Sequence, residues 1–223
     1  MKKSIALIFG LFAVQANAGI IEHITNGDFE TGDFSGWSAV NRGSQSWIGS
    51  WDINDGSFNP HGPYGALAPI GGNYDAVSWQ RRSGFNSLYQ DILLPTSFDT
   101  SFLSWDDRIR SGAPLSDTNQ EWRVLVEDLN GALIGEVFST EPGSDPMQLG
   151  PNSRGFDVTS LLSGYAGQSV RISFEQEDDE FYFNANLDNV SLTTTTGVPE
   201  PSSIALLGLG LVGLGFWRKR KTS

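Results

Sequence analysis

The sequence predicts an all-β protein built as a single β-sandwich. Three observations carry this reading. Short runs of alternating, β-branched and aromatic residues recur along the chain, punctuated by Gly, Pro, Asn and Asp. Twenty-six glycines and 12% aromatic residues imply many turns around an aromatic-rich core. Almost nothing between those runs reads as helix.

The elements follow in chain order. Ser46-Trp47-Ile48 and Ala76-Val77-Ser78-Trp79-Gln80 are short strand candidates. Residues 87–93 mix β-formers and stop before Pro95. Residues 101–109 include Phe102, Leu103 and Trp105. Trp122, Val124 and Val126 line one face of the next strand, Asn130-Gly131 supplies a tight turn, and residues 132–139 return as the second arm of a hairpin. In residues 156–168, Asp157 or Thr159 caps a short helical turn that Gly164 or Gly167 ends. Val170, Ile172 and Phe174 then alternate with Arg171, Ser173 and Glu175, the pattern of a half-buried strand. Residues 186–192 form the last strand, with Leu187, Val190 and Leu192 apolar.

Composition excludes several functions. The 223 residues hold no cysteine and two histidines, His23 and His61, so thiol chemistry, disulfides and cysteine-built metal sites are ruled out. Twenty-six acids against 14 bases give a net charge of −12, which disfavours nucleic acid as a partner. No Gly-x-Ser-x-Gly elbow, phosphate loop or dinucleotide fingerprint is present. Asp106 and Asp107 are adjacent in a strand, so their carboxylates point to opposite faces rather than pairing as a glycosidase couple.

Both ends read as targeting segments. Residues 1–18 combine Lys2 and Lys3, an apolar run over 5–14, and Ala16-Asn17-Ala18, a small-x-small cleavage pattern that places the cut before Gly19. At the other end, Val198-Pro199-Glu200-Pro201 precedes an apolar stretch, 202–217, and the basic run Arg218-Lys219-Arg220-Lys221. As helix that stretch is about 24 Å long, short of the roughly 30 Å hydrocarbon core. The basic run keeps the C-terminus cytoplasmic and leaves the body outside.

This tripartite tail resembles the PEP-CTERM sorting signal of Gram-negative bacteria. The resemblance implies recognition by an exosortase, an integral-membrane cysteine protease. It also implies removal of the helix near the Pro-Glu-Pro motif, followed by release or surface attachment. The inner membrane would hold the precursor only transiently. Such proteins commonly occur where bacteria make exopolysaccharide, in biofilm or floc matrix.

The remainder is one domain, 19–192, with the threonine tract and Gly197 (193–197) read as a linker to the motif. The body 19–197 holds 25 acids, eight Arg and no Lys, a net charge of −17. Its opening Asn26-Gly27-Asp28-Phe29-Glu30, with Gly36-Trp37, resembles the first strand of galactose-binding-like jelly rolls, including carbohydrate-binding modules. Ala166-Gly167-Gln168 and the closing Leu187-Asp188-Asn189-Val190-Ser191-Leu192 are similar to that family's ending, whereas residues 47–119 show no alignable likeness. The resemblance implies a jelly-roll sandwich whose terminal strands hold a structural Ca²⁺, with Glu30 and Asp188 as acids and Asp28 and nearby carbonyls completing an oxygen shell. Read without the resemblance, the same acids serve equally as turn caps.

Two further features stay open at this level. Glu175, Glu177, Asp178, Asp179 and Glu180 read as an exposed acidic loop between the last two strands, with a second Ca²⁺ site as the alternative. Trp105 and Trp122 read as core and Trp37 as structural, while Trp47, Trp51, Tyr64 and Tyr74 fall in a Gly/Pro/Asn-rich region of apparent loops. There they serve either packing or stacking on sugar faces. The expected function is that of a secreted, exosortase-processed, non-catalytic surface or matrix protein binding exopolysaccharide. A structural or adhesive matrix protein without a sugar site is the alternative, and a glycan hydrolase a third.

Overall fold

The computed structural model describes residues 19–42, 49–59, 65–112, 120–140, 147–179 and 181–196. Their strands are β1 (Gly19–Glu22), β2 (Ser38–Arg42), β3 (Ser50–Asn54), β4 (Asp75–Gln80), β5 (Gly84–Leu93), β6 (Thr100–Ser111), β7 (Glu121–Glu127), β8 (Leu133–Ser139), β9 (Met147–Asp157), β10 (Ser169–Asp178) and β11 (Phe183–Thr196). One short helix, α1 (Thr159–Leu162), follows β9. Ile20–Thr195 form one compact unit. Among the described residues no helix is long and apolar enough to cross a membrane. Residues 1–18, the sorting tail from Val198 to Lys221, and Trp47, His61 and Tyr64 lie outside the described residues.

The strands form the two antiparallel sheets of a sandwich. The first runs β3-β4-β11-β6-β9, with β1 added alongside β11; the second runs β2-β5-β10-β7-β8. Alternation along the central strands decides what fills the space between them. Phe183, Ala185 and Leu187 of β11 face inward together with Leu103, Trp105 and Ile109 of β6. Leu88 of β5, Ile172 and Phe174 of β10, and Trp122 and Val124 of β7 meet them from the second sheet. Phe174 sits at the middle of this contact, its ring 5.7 Å from Trp105, 6.1 Å from Trp122 and 6.1 Å from Trp37.

The interior also contains charge. Asp107 is fully buried and accepts from Trp105 Nε1 at 2.9 Å, Asn152 Nδ2 at 3.0 Å and both ends of the Arg154 guanidinium fork. That saturated set of donors is what makes a carboxylate tolerable there. Asp106, one residue earlier, faces outward as the strand geometry requires.

Several sequence expectations hold. The hairpin forms, with Gly131 at φ +81° between β7 and β8. The short helical turn forms as well, although neither expected residue caps it: Val158 is the N-cap and has no side-chain cap bond, while Asp157 Oδ1 accepts the Thr159 N–H at 2.9 Å from one position earlier. Others need correction. Trp51 lies in β3 rather than in a loop, and packs inward with its ring 5.9 Å from that of Trp122. The acidic run is not a loop through most of its length. β10 continues to Asp178, with Glu175 buried against Arg123 at 2.8 Å and Asp178 accepting from Gln120. The tract Thr193–Thr196 is strand rather than linker, because β6 supplies paired backbone partners as far as Thr195. Strand β9 was not legible; it contains Gly150-Pro151 and, among the described residues, pairs only with β6, at the sheet edge where a missing N–H is tolerated.

Truncating Phe174 to Ala removes the ring shared by three tryptophans, and denaturant unfolding should show a loss of about 3–5 kcal/mol. The same truncation at Leu93, which is 68% exposed, should stay within about 0.5 kcal/mol of wild type.

Candidate functional site

The outward face of the first sheet is the most unusual surface of the domain. Register aligns its side chains in rows. Ser50, Trp79, Asn184 and Arg110 form one, and Asp52, Val77, Asn186 and Arg108 form the next. Asn54 pairs with Asp75, and Asp188 with Asp106, in the row beyond. Every position except Val77 is polar or indole. The sequence carries this face as the polar half of strict alternations: Asn184, Asn186 and Asp188 between Phe183, Ala185 and Leu187, and Asp106, Arg108 and Arg110 between Trp105, Asp107 and Ile109.

A segment of loop, residues 65–74, crosses this face as a strap and is pinned by it. Arg110 donates to the Gly65 carbonyl at 3.3 Å and Arg108 to the Ala68 carbonyl at 3.1 Å. Asn54 donates to the Leu67 carbonyl at 3.2 Å. In return, the Ile70 N–H donates to Asp75 Oδ2 at 2.9 Å and the Gly71 N–H to Asp188 Oδ2 at 2.8 Å. Below the strap, Asp52 Oδ2 accepts from Trp79 Nε1 at 2.7 Å. Asn186 Nδ2 donates to both oxygens of Asp75, at 3.1 and 3.2 Å.

Not every group on this face is satisfied. Asn184 is fully buried, yet neither its Oδ1 nor its Nδ2 has a hydrogen-bond partner, and Asn186 Oδ1 is likewise unpaired. Buried amide groups without partners are rare and costly.

The far end of the strap meets the opening motif. Glu30 Oε1 accepts the N–H groups of Asn73 at 2.7 Å and Tyr74 at 3.0 Å, while Oε2 accepts from Asn73 Nδ2 at 2.9 Å. These donors, the Tyr74 N–H foremost, hold the Glu30 carboxyl below its ordinary pKa. Gly72 stands at φ +52°, and a Cβ there would collide with the Glu30 carboxylate. Glu30 and Asp188 thus accept N–H groups from the same four-residue turn, 71–74. Asp28 does not join that turn. It accepts the Glu30 N–H at 3.3 Å and lines a shallow groove with Glu22, Asn26 and Asn189. Of the expected aromatics, Tyr74 is half-buried with its ring against Gly32, and Trp51 is interior.

Negative charge accumulates here. Burial pushes the Asp75 carboxyl above its usual range, partly offset by Asn54, Asn186 and Arg108. Asp188 is pushed up to about 7, chiefly by desolvation, with Asp75 and Asp106 adding to the effect and the N–H groups of Asn189 and Gly71 opposing it. Among the described residues no group of three or more His, Asp or Glu side chains is spaced to hold a metal ion.

Residues 197–221 match the model of the PEP-CTERM protein-sorting motif, which implies export and C-terminal membrane anchoring. No curated protein matches the chain. Among solved structures, it is similar to the K3 cleaved adhesin domain of Lys-gingipain from Porphyromonas gingivalis, at 15% identity and TM-score 0.51, covering 80% of this chain and 100% of that one. It is also similar to TmCBM61 in complex with β-1,4-galactotriose, at 16% identity and TM-score 0.49, covering 77% and 97%. A third is the CBM22-1 xylan-binding domain from Paenibacillus barcinonensis Xyn10C, at 15% identity and TM-score 0.43, covering 83% and 100%. What the chain shares with the K3 adhesin domain is the fold, a two-sheet β-sandwich.

The Asp188 carboxyl makes a pH prediction. Because folding raises its pKa from 3.8 to about 7, the folded metal-free protein holds the proton more tightly than the unfolded chain does. Its stabilising contribution is complete below the unfolded value and is lost as pH rises through about 7. Thermal melting of metal-free protein should therefore show a falling midpoint over that interval, and Asp188→Asn should flatten the slope. An unchanged slope in the variant would assign the effect to other groups.

Proposed function

We propose that this is an exported, non-catalytic matrix protein that binds extracellular polysaccharide on the outward face of its first sheet. After export it is processed by an exosortase and released or displayed at the cell surface. The observation that carries the binding reading is Asn184, a buried amide with both ends unpaired, set beside Trp79 and Arg110 on a face made of Asn, Asp and Arg. Sugar hydroxyls donate and accept at once, which suits an amide next to carboxylates and guanidinium groups. The indole of Trp79, and Tyr74 at the end of the strap, offer the apolar surface that sugar rings stack on. Trp47 and Tyr64 remain sugar-contact candidates from the sequence, whereas Trp51 serves the core.

Calcium belongs to the same proposal. The turn 71–74 is gripped by the carboxylates of Glu30 and Asp188, and Asp75 and Asp106 lie close enough to Asp188 to raise its proton affinity. A hard dication suits that charge and donor type, and extracellular sites of this kind bind with Kd on the order of 10⁻⁴–10⁻³ M. Glu30 and Asp188 would hold it, with Asp28 keeping the opening motif in shape beside them. Its role is to lock the strap against the sheet.

The second reading is a structural or adhesive matrix module without a sugar site. It is favoured by the strap itself, which covers the polar face with its own backbone. A polysaccharide array with the processed protein, run in millimolar Ca²⁺ and in chelator, separates the two. The binding reading expects retention on a defined glycan set, weakened about tenfold by Asn184→Ala or Trp79→Ala in a folded protein. Absence of retention, or retention indifferent to both variants, favours the structural module. In either case Ca²⁺ should raise the melting midpoint of wild type and not of Asp188→Asn.

A further inference from the structure

The strand that builds the polar face also leads directly into the sorting motif. β11 ends at Thr196, and the motif match begins at residue 197. Its last residues are held on both sides. On one side, β6 pairs with it from Ser191 opposite Ser104 to Thr195 opposite Thr100. The Asp99 N–H donates to the Thr195 carbonyl at 2.7 Å, and the hydroxyls of Thr100 and Thr195 meet at 2.6 Å. On the other side lies β1, which starts at Gly19, the first residue after the expected signal cleavage point. The His23 N–H donates to the Leu192 carbonyl at 2.9 Å, His23 Nε2 bonds Thr194 Oγ1 at 2.8 Å, and Glu22 accepts the Leu192 N–H at 3.0 Å and the Ser191 hydroxyl.

A protease takes its substrate as an extended peptide with several residues on each side of the scissile bond. A strand whose backbone is already paired on both edges is not available in that form. Only residues 197–201 separate the end of β11 from the apolar stretch that starts at Ser202. Any subsite that reads more than those few residues on the N-terminal side must therefore engage Thr193–Thr196. Of the two partners, β1 is the weaker. It is four residues long, all exposed, with Ile20 71% exposed, so it buries little apolar surface to hold it in place.

We propose that β1 acts as a clasp that gates processing of the sorting segment. Cleavage near Pro199-Glu200-Pro201 requires Thr193–Thr196 to peel from β1 and β6 into the protease. The hydrolysis itself breaks one peptide C–N bond, water supplying the hydroxyl of the new carboxyl group and the proton of the released amine. When opening and closing are fast relative to cleavage, the processing rate follows the population of the peeled state. The fold thus sets how quickly a folded body leaves its membrane anchor. This inference rests on the reading of 197–221 as a processed signal.

The test follows the full-length precursor by pulse-chase in a host that carries the processing protease. His23→Ala removes the side-chain bond to Thr194 and should speed conversion about fivefold, the shift in open population expected from losing one hydrogen bond of ordinary strength. A flexible Gly/Ser insertion after Thr196 should speed it as well, and should abolish the further effect of His23→Ala. Val126→Ala weakens the core in the second sheet, away from the clasp, and should leave the rate unchanged. Equal rates for wild type, His23→Ala and the insertion overturn the gate. Acceleration by Val126→Ala to the same degree as His23→Ala overturns it too, because global unfolding would then set the rate. If no form is converted, the processing reading itself fails and the gate with it.

Discussion

The structure depends on β11 being the central strand of its sheet. Fourteen residues long, it is paired with β4 and then β1 along one edge and with β6 along the other. Its alternation is absolute in the first half. Phe183, Ala185 and Leu187 supply the core, and Asn184, Asn186 and Asp188 supply the outward face. A register slip of one residue would exchange the two sets, placing the amides in the core and Phe183, Ala185 and Leu187 under the strap. Core packing therefore fixes the polar face, and the polar face fixes where the strap lies.

The chain handles buried charge in two ways on the two faces of the same sheet. Inside, Asp107 is matched by Arg154 and by amide and indole donors, a closed arrangement with no polar valence left for a ligand. Outside, Asp75 and Asp188 lose water to the strap with fewer cationic partners, and their carboxyls bind protons more tightly as a result. The unpaired amide of Asn184 adds polar groups in want of partners. The inner arrangement is matched charge for charge, whereas the outer one leaves its carboxylates with fewer cationic partners.

Close backbone approach joins these parts. Asn26-Gly27 lies against the closing motif so tightly that a Cβ on Gly27 would collide with the Val190 carbonyl, while the Gly27 carbonyl accepts the Val190 N–H at 2.9 Å. Phe29, fully buried at φ +53°, sends its ring into the core beside Trp37 and sets the next residue, Glu30, against the strap. The first and last motifs of the body thus form one structure, with the beginning of the domain and the exit toward the sorting motif on the same sheet.

Much of this was legible in the sequence because it depends on local pattern. Alternation at Val170, Ile172 and Phe174, the Asn-Gly turn, the opening and closing motifs and the sorting tail each follow from residues near one another in the chain. What tertiary structure alone decided is pairing between distant segments. Trp51 is interior because β3 finds β4; the acids of β10 are partly buried because Arg123 comes from β7 and Gln120 from the position just before it. The threonine tract is strand because β6 is long enough to reach it. The candidate site is the same case. Asp52, Trp79, Arg108, Arg110 and Asn184 come from four strands far apart in sequence, and no local period reveals that they share one face. Register does, since the hydrogen-bonded ladder sets which side chains stand abreast.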